Sequence, residues 1–426
     1  MNRKLTGSER SVWKQGAISL NIVIVAHIQG RICLDELQQA WLLLQTLHPL
    51  LGVHLEEREN AEFLTSEDTT LVPVREVMAT TDTDWQLEAL KELQTPFHNF
   101  SNAPFARSVL VHSDKHCRLI ICLHHCICDG LSATYLLRDI LYCLSDQHDR
   151  VQQSADNLLM DNLIPSSITL PFWQKATLKT VNFLFGSCKR PTSKNVAKIP
   201  MKKSALLAWH ISQKQTNSLL KASKKNKVTV HTTIATLFLA AQKIVQGEDK
   251  GYYEKMYTPI SVRNLLRKNV DTTFGLYASE SYISYRYDLE KTFWQNGQDY
   301  QKELKRTLTD QKAFNSILMA NTLLPALLDR ILLRLYRKQT IQFGYILSNL
   351  GNLSLAEQYG SLTLDGINGP IGYVQRAEKT LSVLTVNGKM HFTFTYQPEV
   401  LTSDTLLAIR NTAMSLLKQY SRETYQ

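Results

Sequence analysis

An apolar run, Arg118-Leu119-Ile120-Ile121-Cys122-Leu123, ends in two adjacent histidines, His124 and His125, then passes through Cys126-Ile127-Cys128 to Asp129-Gly130 before a helical pattern opens at Leu131-Ser132. This segment restricts the possible folds more than any other. The apolar run reads as a buried strand, and an acid followed by glycine marks a short turn that redirects the chain into a helix. Successive strand residues face opposite sides, so His124 and His125 do not point into one cavity. One belongs to the packing and the other is open to substrate. An unperturbed imidazole titrates near pH 6.5, about right for a general base at working pH. Asp129 is placed to orient that imidazole or to bind a distant cation. Gly130 permits a tight turn and a close backbone approach, and the amides at the helix start are available to steady negative charge.

Strands and helices alternate around this segment. Strands are expected at 18–28, 50–55, 106–112 and 118–124, and helices at 35–47 and 131–144, the first capped by Asp35 and stopped by His48-Pro49. Between about 151 and 201 the pattern weakens among Pro165, Pro171, Pro191, Pro200 and basic residues. Beyond it, strands are expected at 206–211, 253–262, 277–287, 343–349, 381–386 and 391–396. Helices are expected at 213–223, 231–245, 289–308, 322–337 and 403–420. A chain of 426 residues exceeds the usual size of one domain. The expected division is a lobe over 1–170, a basic connection over 171–203 and a second lobe over 204–426. The fold class is α/β, a mixed α+β sandwich of two lobes side by side, with no repeat at a period of 20–50 residues.

The apolar share of 44% is enough for two cores, and no apolar run reaches the roughly 18 residues of a membrane span. Met1-Asn2-Arg3-Lys4 leads into polar residues, so no secretory signal is expected and the location is read as cytoplasmic. The 7 cysteines include no C-x-x-C pair and fit reduced thiols better than a disulfide framework. The net charge of +10 is unevenly spread, because no acidic residue lies between Asp161 and Glu248. Lys175, Lys179, Lys189, Arg190, Lys194, Lys198, Lys202, Lys203, Lys214, Lys221, Lys224, Lys225, Lys227 and Lys243 fall in that interval. Such a field attracts phosphates, an acidic protein or an anionic membrane, or is simply a basic linker with solvated helix faces. No nucleic-acid module surrounds it, so nucleic acid is not an expected partner.

The segment His124-His125-Cys126-Ile127-Cys128-Asp129-Gly130 matches the HHxxxDG signature of the chloramphenicol acetyltransferase-like superfamily, which includes nonribosomal peptide condensation domains and free-standing acyltransferases. Arg3-Lys4-Leu5 with Ser8-Glu9 resembles the opening of the polyketide-associated acyltransferases that esterify phthiocerol diols. His48-Pro49-Leu50-Leu51, Pro96-Phe97, Pro104-Phe105-Ala106-Arg107, Val228-Thr229-Val230-His231, Pro259-Ile260-Ser261-Val262-Arg263 and Ser348-Asn349-Leu350-Gly351 resemble further family landmarks, in the family's order. The resemblance implies a pseudo-dimer of two lobes with a tunnel between them, entered by donor and acceptor from opposite faces. It makes His125 the catalytic base and His124 buried support. Asp129 would pair with Arg263 and lock the loop with Gly130, and Ser132, Ser348, Asn349 and Gly351 would line the substrate tunnel. The implied donor is acyl-CoA or an acyl group on a carrier protein's phosphopantetheine arm, supplied in trans, with no bound cofactor and no acyl-enzyme. The chain is read as a monomer.

The reaction expected is acyl transfer to a hydroxyl or amine. The alternatives are a carrier-dependent condensation enzyme that makes an amide, and a non-catalytic protein that binds a carrier. Metal binding at Cys126 and Cys128 is disfavoured, since C-x-C after a strand gives poor tetrahedral geometry. Nucleophilic chemistry on a cysteine is disfavoured too, because spacing fixes no base beside any of them. His27, His48, His54 and His231 read as packing or capping residues. The basic, leucine-rich helix around 323–337 reads as a core helix with a charged rim in preference to a membrane contact.

Overall fold

A computed structural model describes residues 1–13, 17–58, 61–97, 101–113, 116–154, 158–185, 199–247, 251–323, 325–338, 340–372 and 376–422. The first half runs β1 (Asn2–Lys4), α1 (Gly7–Trp13), β2 (Asn21–Gln29), α2 (Leu34–Leu47), β3 (His54–Arg58), β4 (Ala61–Thr65), β5 (Val74–Met78), α3 (Asp84–Gln94), β6 (Ala106–His112), β7 (His116–His124), α4 (Gly130–Cys143), α5 (Met160–Leu163) and α6 (Phe172–Leu184). The second runs β8 (Ala205–Ile211), α7 (Gln213–Lys225), α8 (Val230–Gln246), β9 (Lys255–Ser261), β10 (Ala278–Ser284), α9 (Phe293–Thr307), α10 (Asp310–Thr322) and α11 (Pro325–Arg337). It closes with β11 (Phe343–Asn352), β12 (Gln358–Tyr359), β13 (Leu362–Gly372), β14 (Ala377–Val386), β15 (Lys389–Tyr396) and α12 (Ser403–Arg422).

The fold is a mixed α/β sandwich of two lobes, each built on a 6-stranded sheet, with a small 3-stranded sheet of β1, β4 and β3 at one side. The first large sheet has the order β12-β13-β2-β7-β6-β5 and the second β10-β9-β11-β14-β15-β8. β2 and β7 are apolar almost without interruption because both faces of their sheet are covered, partly by α3 and α4. Helices α7, α8, α9 and α12 pack on the second sheet, around a core that includes Phe238, Tyr300, Tyr345, Phe392 and Phe394.

The chain does not divide cleanly at the lobe boundary. β13 follows β11 in sequence yet pairs antiparallel with β2, in register from Thr363 opposite Gln29 to Gly372 opposite Ile22. Leu364, Ile367 and Ile371 thereby complete the first lobe's core together with Leu384 and Val386 of β14. Two register shifts, between Leu364 and Gly366 and between Asn368 and Ile371, bend this strand across the seam. Gly369 makes the second bend possible: its φ is +125°, and a Cβ there would stand 2.7 Å from the Val23 carbonyl oxygen.

Several expected elements are shifted or divided. The helix expected over 289–308 starts at Phe293, where the Thr292 hydroxyl accepts from the Gln295 amide and the Gln295 side chain accepts from the Thr292 amide. A separate helix, α10, begins after Thr309, which caps it by accepting from Lys312. The residues expected at 50–55 as a strand form a 3-10 turn over Pro49–Gly52 before β3. Part of the basic connection is helical, as α6, while 186–198, with Lys189, Arg190, Lys194 and Lys198, lies outside the described residues.

Candidate functional site

Strand β7 pairs with β2 along its whole length and stops at His124, opposite Asn21. The backbone then turns through His125-Cys126-Ile127, with the Ile127 amide donating to the His124 carbonyl at 3.1 Å, and enters α4 at Gly130. Strand alternation separates the two imidazoles. His124 is fully buried, its ring enclosed by Trp13, Phe97 and Phe105 at centroid distances of 5.3, 6.0 and 5.3 Å, and its Nδ1 accepts from the Cys126 amide at 3.2 Å. His125 is half-buried and lines the cavity between the lobes. Its Nδ1 lies 2.7 Å from the Cys128 carbonyl oxygen, which can only accept, so Nδ1 carries the proton and Nε2 is the basic nitrogen of the neutral ring.

Asp129 caps α4. One carboxylate oxygen accepts from the Ser132 amide at 2.7 Å and the other from the Tyr277 amide at 2.8 Å. Arg263 approaches both oxygens at 3.4 Å, donates to the Ser132 hydroxyl at 2.6 Å and to the carbonyls of Asp271 and Thr273 at 3.0 Å, and stacks over Tyr277 at 4.4 Å. Asp129 and Arg263 are both buried, so each charge depends on the other and on these surrounding dipoles. The network ties the loop of the first lobe to β9 and β10 of the second. Gly130 lies where a Cβ would meet Pro370 Cγ at 3.0 Å and Leu350 Cδ2 at 3.2 Å, so its missing side chain leaves room for β13 and β11 to close on the start of α4.

The cavity has a volume of about 490 Å³, and the first lobe contributes Leu20, His125, Gly130 and Leu131 to its wall. Ser348 and Asn349 of β11 line it from the second lobe. Ser132 does not: it is fully buried, its hydroxyl donating to the Gly275 carbonyl at 2.6 Å and accepting from Arg263, which corrects its expected place in the tunnel. Gly351 is also absent from the wall. It is exposed at φ +73°, where it completes a turn by donating its amide to Asn349 Oδ1 at 2.9 Å.

Other wall residues were not singled out in the sequence. Tyr257 and Ser261 flank Pro259 at period two along β9, and Ala278, Glu280 and Tyr282 alternate likewise along β10. Pro370 and Arg376 are not readable from any local pattern, because the crossing of β13 brings them in.

Cys126 and Cys128 are fully buried, and burial pushes both thiols well above their ordinary pKa, which keeps them protonated and unreactive. Among the described residues no group of three or more His, Cys, Asp or Glu is arranged to hold a metal ion.

A family model described as condensation domain matches residues 12–156, and one described as alcohol acetyltransferase matches residues 159–418, more than half of the chain. A nonribosomal peptide synthetase of Aspergillus flavus is 31% identical over 117 residues, which are 27% of this chain and 2% of that protein. Among solved structures, polyketide synthase associated protein 5 from Mycobacterium tuberculosis is similar with a TM-score of 0.64 at 14% identity, covering 98% of each chain. Trichothecene 15-O-acetyltransferase from Fusarium sporotrichioides is similar with a TM-score of 0.66 at 11% identity, covering 98% of this chain and 95% of that one. The epimerization domain from the third module of tyrocidine synthetase B gives 0.68 at 12% identity, covering 99% and 97%. At these identities the likeness is one of fold.

Proposed function

The chain belongs to the alcohol acetyltransferase family, and from that premise we propose that it transfers an acyl group from a thioester to a hydroxyl acceptor, with His125 as general base. The observation that carries the reading is the geometry of His125. Its Nδ1 proton is held by the Cys128 carbonyl, and its basic nitrogen belongs to a ring that lines the inter-lobe cavity. In the reaction the acceptor O–H gives its proton to Nε2 as its oxygen attacks the thioester carbonyl. The tetrahedral intermediate then expels the thiolate, which takes the proton back from the imidazolium and leaves as free thiol. No acyl-enzyme is formed. Ser348 and Asn349 stand on the facing wall, and the amino end of α4 adds a favourable dipole for the developing oxyanion.

The donor is acyl-CoA or an acyl group on a carrier's phosphopantetheine arm, and the lysines of α7 offer charge for its phosphates or for an acidic carrier. The match of residues 12–156 to condensation domains, with the partial likeness of this chain to a peptide synthetase, favours one second reading, amide formation between carrier-bound groups.

The test is thiol release from acyl-CoAs of graded length, with and without alcohols, for wild type and His125→Ala. Acceptor-dependent release should fall by about 10²-fold or more in the variant. If wild type is inert with every acyl-CoA but active with acyl-carrier protein, the donor is carrier-bound. If it is inert with both, the chain is a binding module and the proposal fails.

A further inference from the structure

Helix α6 is inside out. Helical residues advance by about 100° each, so Phe172, Trp173, Ala176, Thr180, Phe183 and Leu184 share one broad arc. In a helix packed on a protein such an arc faces the core. Here Leu178, on the opposite side, is the only buried residue of the helix, and the arc faces solvent. Phe172 is 88% exposed, Trp173 66%, Phe183 87% and Leu184 67%, with Phe185 beyond the helix end at 47%. The helix is anchored to the fold by Leu178 and by Asn182, whose side-chain amide donates to the Thr322 carbonyl at 2.8 Å.

The charge on this helix is of one sign. Lys175 and Lys179 are exposed on α6, and no acidic residue lies between Asp161 and Glu248. The Asn182 contact ties the end of α6 to Thr322, the last residue of α10, just before α11, whose exposed residues include Arg330, Ile331, Arg334, Leu335 and Arg337, again basic and apolar together. Leu332 of α11 lines the inter-lobe cavity, so the helix with this outer surface also forms part of the cavity wall. A second copy of the chain is a poor occupant, because pairing α6 with itself would set lysine against lysine with no acid on either helix. A large aromatic face flanked by lysines matches what an interfacial helix presents to lipid headgroups and acyl chains.

We propose that α6 seats the protein on an anionic lipid surface, with the aromatic arc among the acyl chains and the lysines at the headgroups. The helix lies in the interface and does not cross it; among the described residues no single helix is long and apolar enough to span a membrane. The proposal stands independently of the transfer reaction, and its readout is binding.

The experiment is co-sedimentation of the full chain with phosphatidylcholine vesicles, with and without phosphatidylserine, for wild type, Phe172→Ser/Phe183→Ser and Lys175→Glu/Lys179→Glu. The replaced side chains are largely exposed, and an unchanged melting curve checks the fold. Wild type should pellet with the phosphatidylserine vesicles, the aromatic variant should bind roughly tenfold or more weakly, and the glutamate variant should lose the preference for phosphatidylserine. The vesicles should also shift tryptophan emission to the blue in wild type and much less in Trp173→Phe. Equal binding by wild type and the aromatic variant overturns the proposal, as does absence of binding to either vesicle. Lipid-free dimers that the aromatic variant abolishes would assign the face to self-association and overturn it as well.

Discussion

A single hydrogen bond, from His125 Nδ1 to the Cys128 carbonyl, decides which nitrogen of the imidazole is basic, and it is closed by a turn only four residues long. The neighbouring residue takes the opposite part: His124 is packed between aromatic rings and holds the turn through the Cys126 amide. Gly130 shows how narrow the tolerance is at this scale. A valine's Cβ there would already stand 3.0 Å from Pro370 Cγ and 3.2 Å from Leu350 Cδ2, inside van der Waals contact before its branches are placed. Gly130→Val is therefore expected to cost about 1–3 kcal/mol of stability and to lower kcat/KM several-fold more than it lowers the melting temperature would suggest. Chemical denaturation and steady-state kinetics on one preparation check this; unchanged kinetics would show that the cavity wall accommodates the side chain.

Among the elements, β14 carries the most costly pair of residues. Glu378 and Lys379 are both completely buried, with Lys379 Nζ 3.0 Å from Glu378 Oε1 and 4.1 Å from the centre of the Tyr345 ring. Tyr252 donates its hydroxyl to the other Glu378 oxygen at 3.0 Å. Removing one charge strands the other in a low-dielectric interior. Lys379→Ala should therefore lose about 3–5 kcal/mol, whereas Glu378→Gln/Lys379→Met, which removes both charges at similar volume, should recover most of it. Urea unfolding of the two variants makes the comparison. Equal losses would mean that the pair is held by packing alone. Helix α4 illustrates the same economy at the site, since Asp129 serves as its cap and as the partner of Arg263.

In the whole molecule, the seam between the sheets holds three histidines. His27 of β2 bonds through Nε2 to Asn368 of β13 at 2.7 Å, and Asn368 donates to Thr393 of β15 at 3.0 Å. His391 of β15 stands beside His210 of β8, with ring centres 5.6 Å apart. Burial, then Arg118 and His210, push His27 down to about 4 despite its bond to Asn368; burial, then His210, His27 and Lys389, push His391 down to about 3. The unfolded chain takes up these protons near pH 6.5, about the ordinary value, so it binds more protons than the native state below that pH. Stability is complete above about pH 6.5 and should fall as the pH drops toward 4, by up to about 1.4 kcal/mol per pH unit for each histidine. Urea midpoints from pH 7 downward should decline less steeply in His27→Gln and His391→Gln than in wild type. Parallel slopes would place the acid sensitivity elsewhere.

The parts of this protein legible in its sequence are those decided within a few residues. Strand alternation separated His124 from His125, and the apolar periods located β7, α4, α8 and α12 to within a few positions. The seam was not legible. β13 is interrupted by Gly366 and by Gly369-Pro370, which break the period-two signal, and its place in the first sheet depends on hydrogen bonds to residues more than 300 positions away. Ser132, expected to line the tunnel, follows the loop directly, but only the arrival of Gly275 and Arg263 from the second lobe turns its hydroxyl into the interior. The segment of α6 was expected as part of a basic connection, and which side of the helix meets solvent was settled by how Leu178 and Asn182 dock. Local sterics and hydrogen-bond rules act along the chain and so are written in it; the direction an arc faces, and the partner a buried polar group finds, follow from long-range packing and are decided only when the two lobes close on each other.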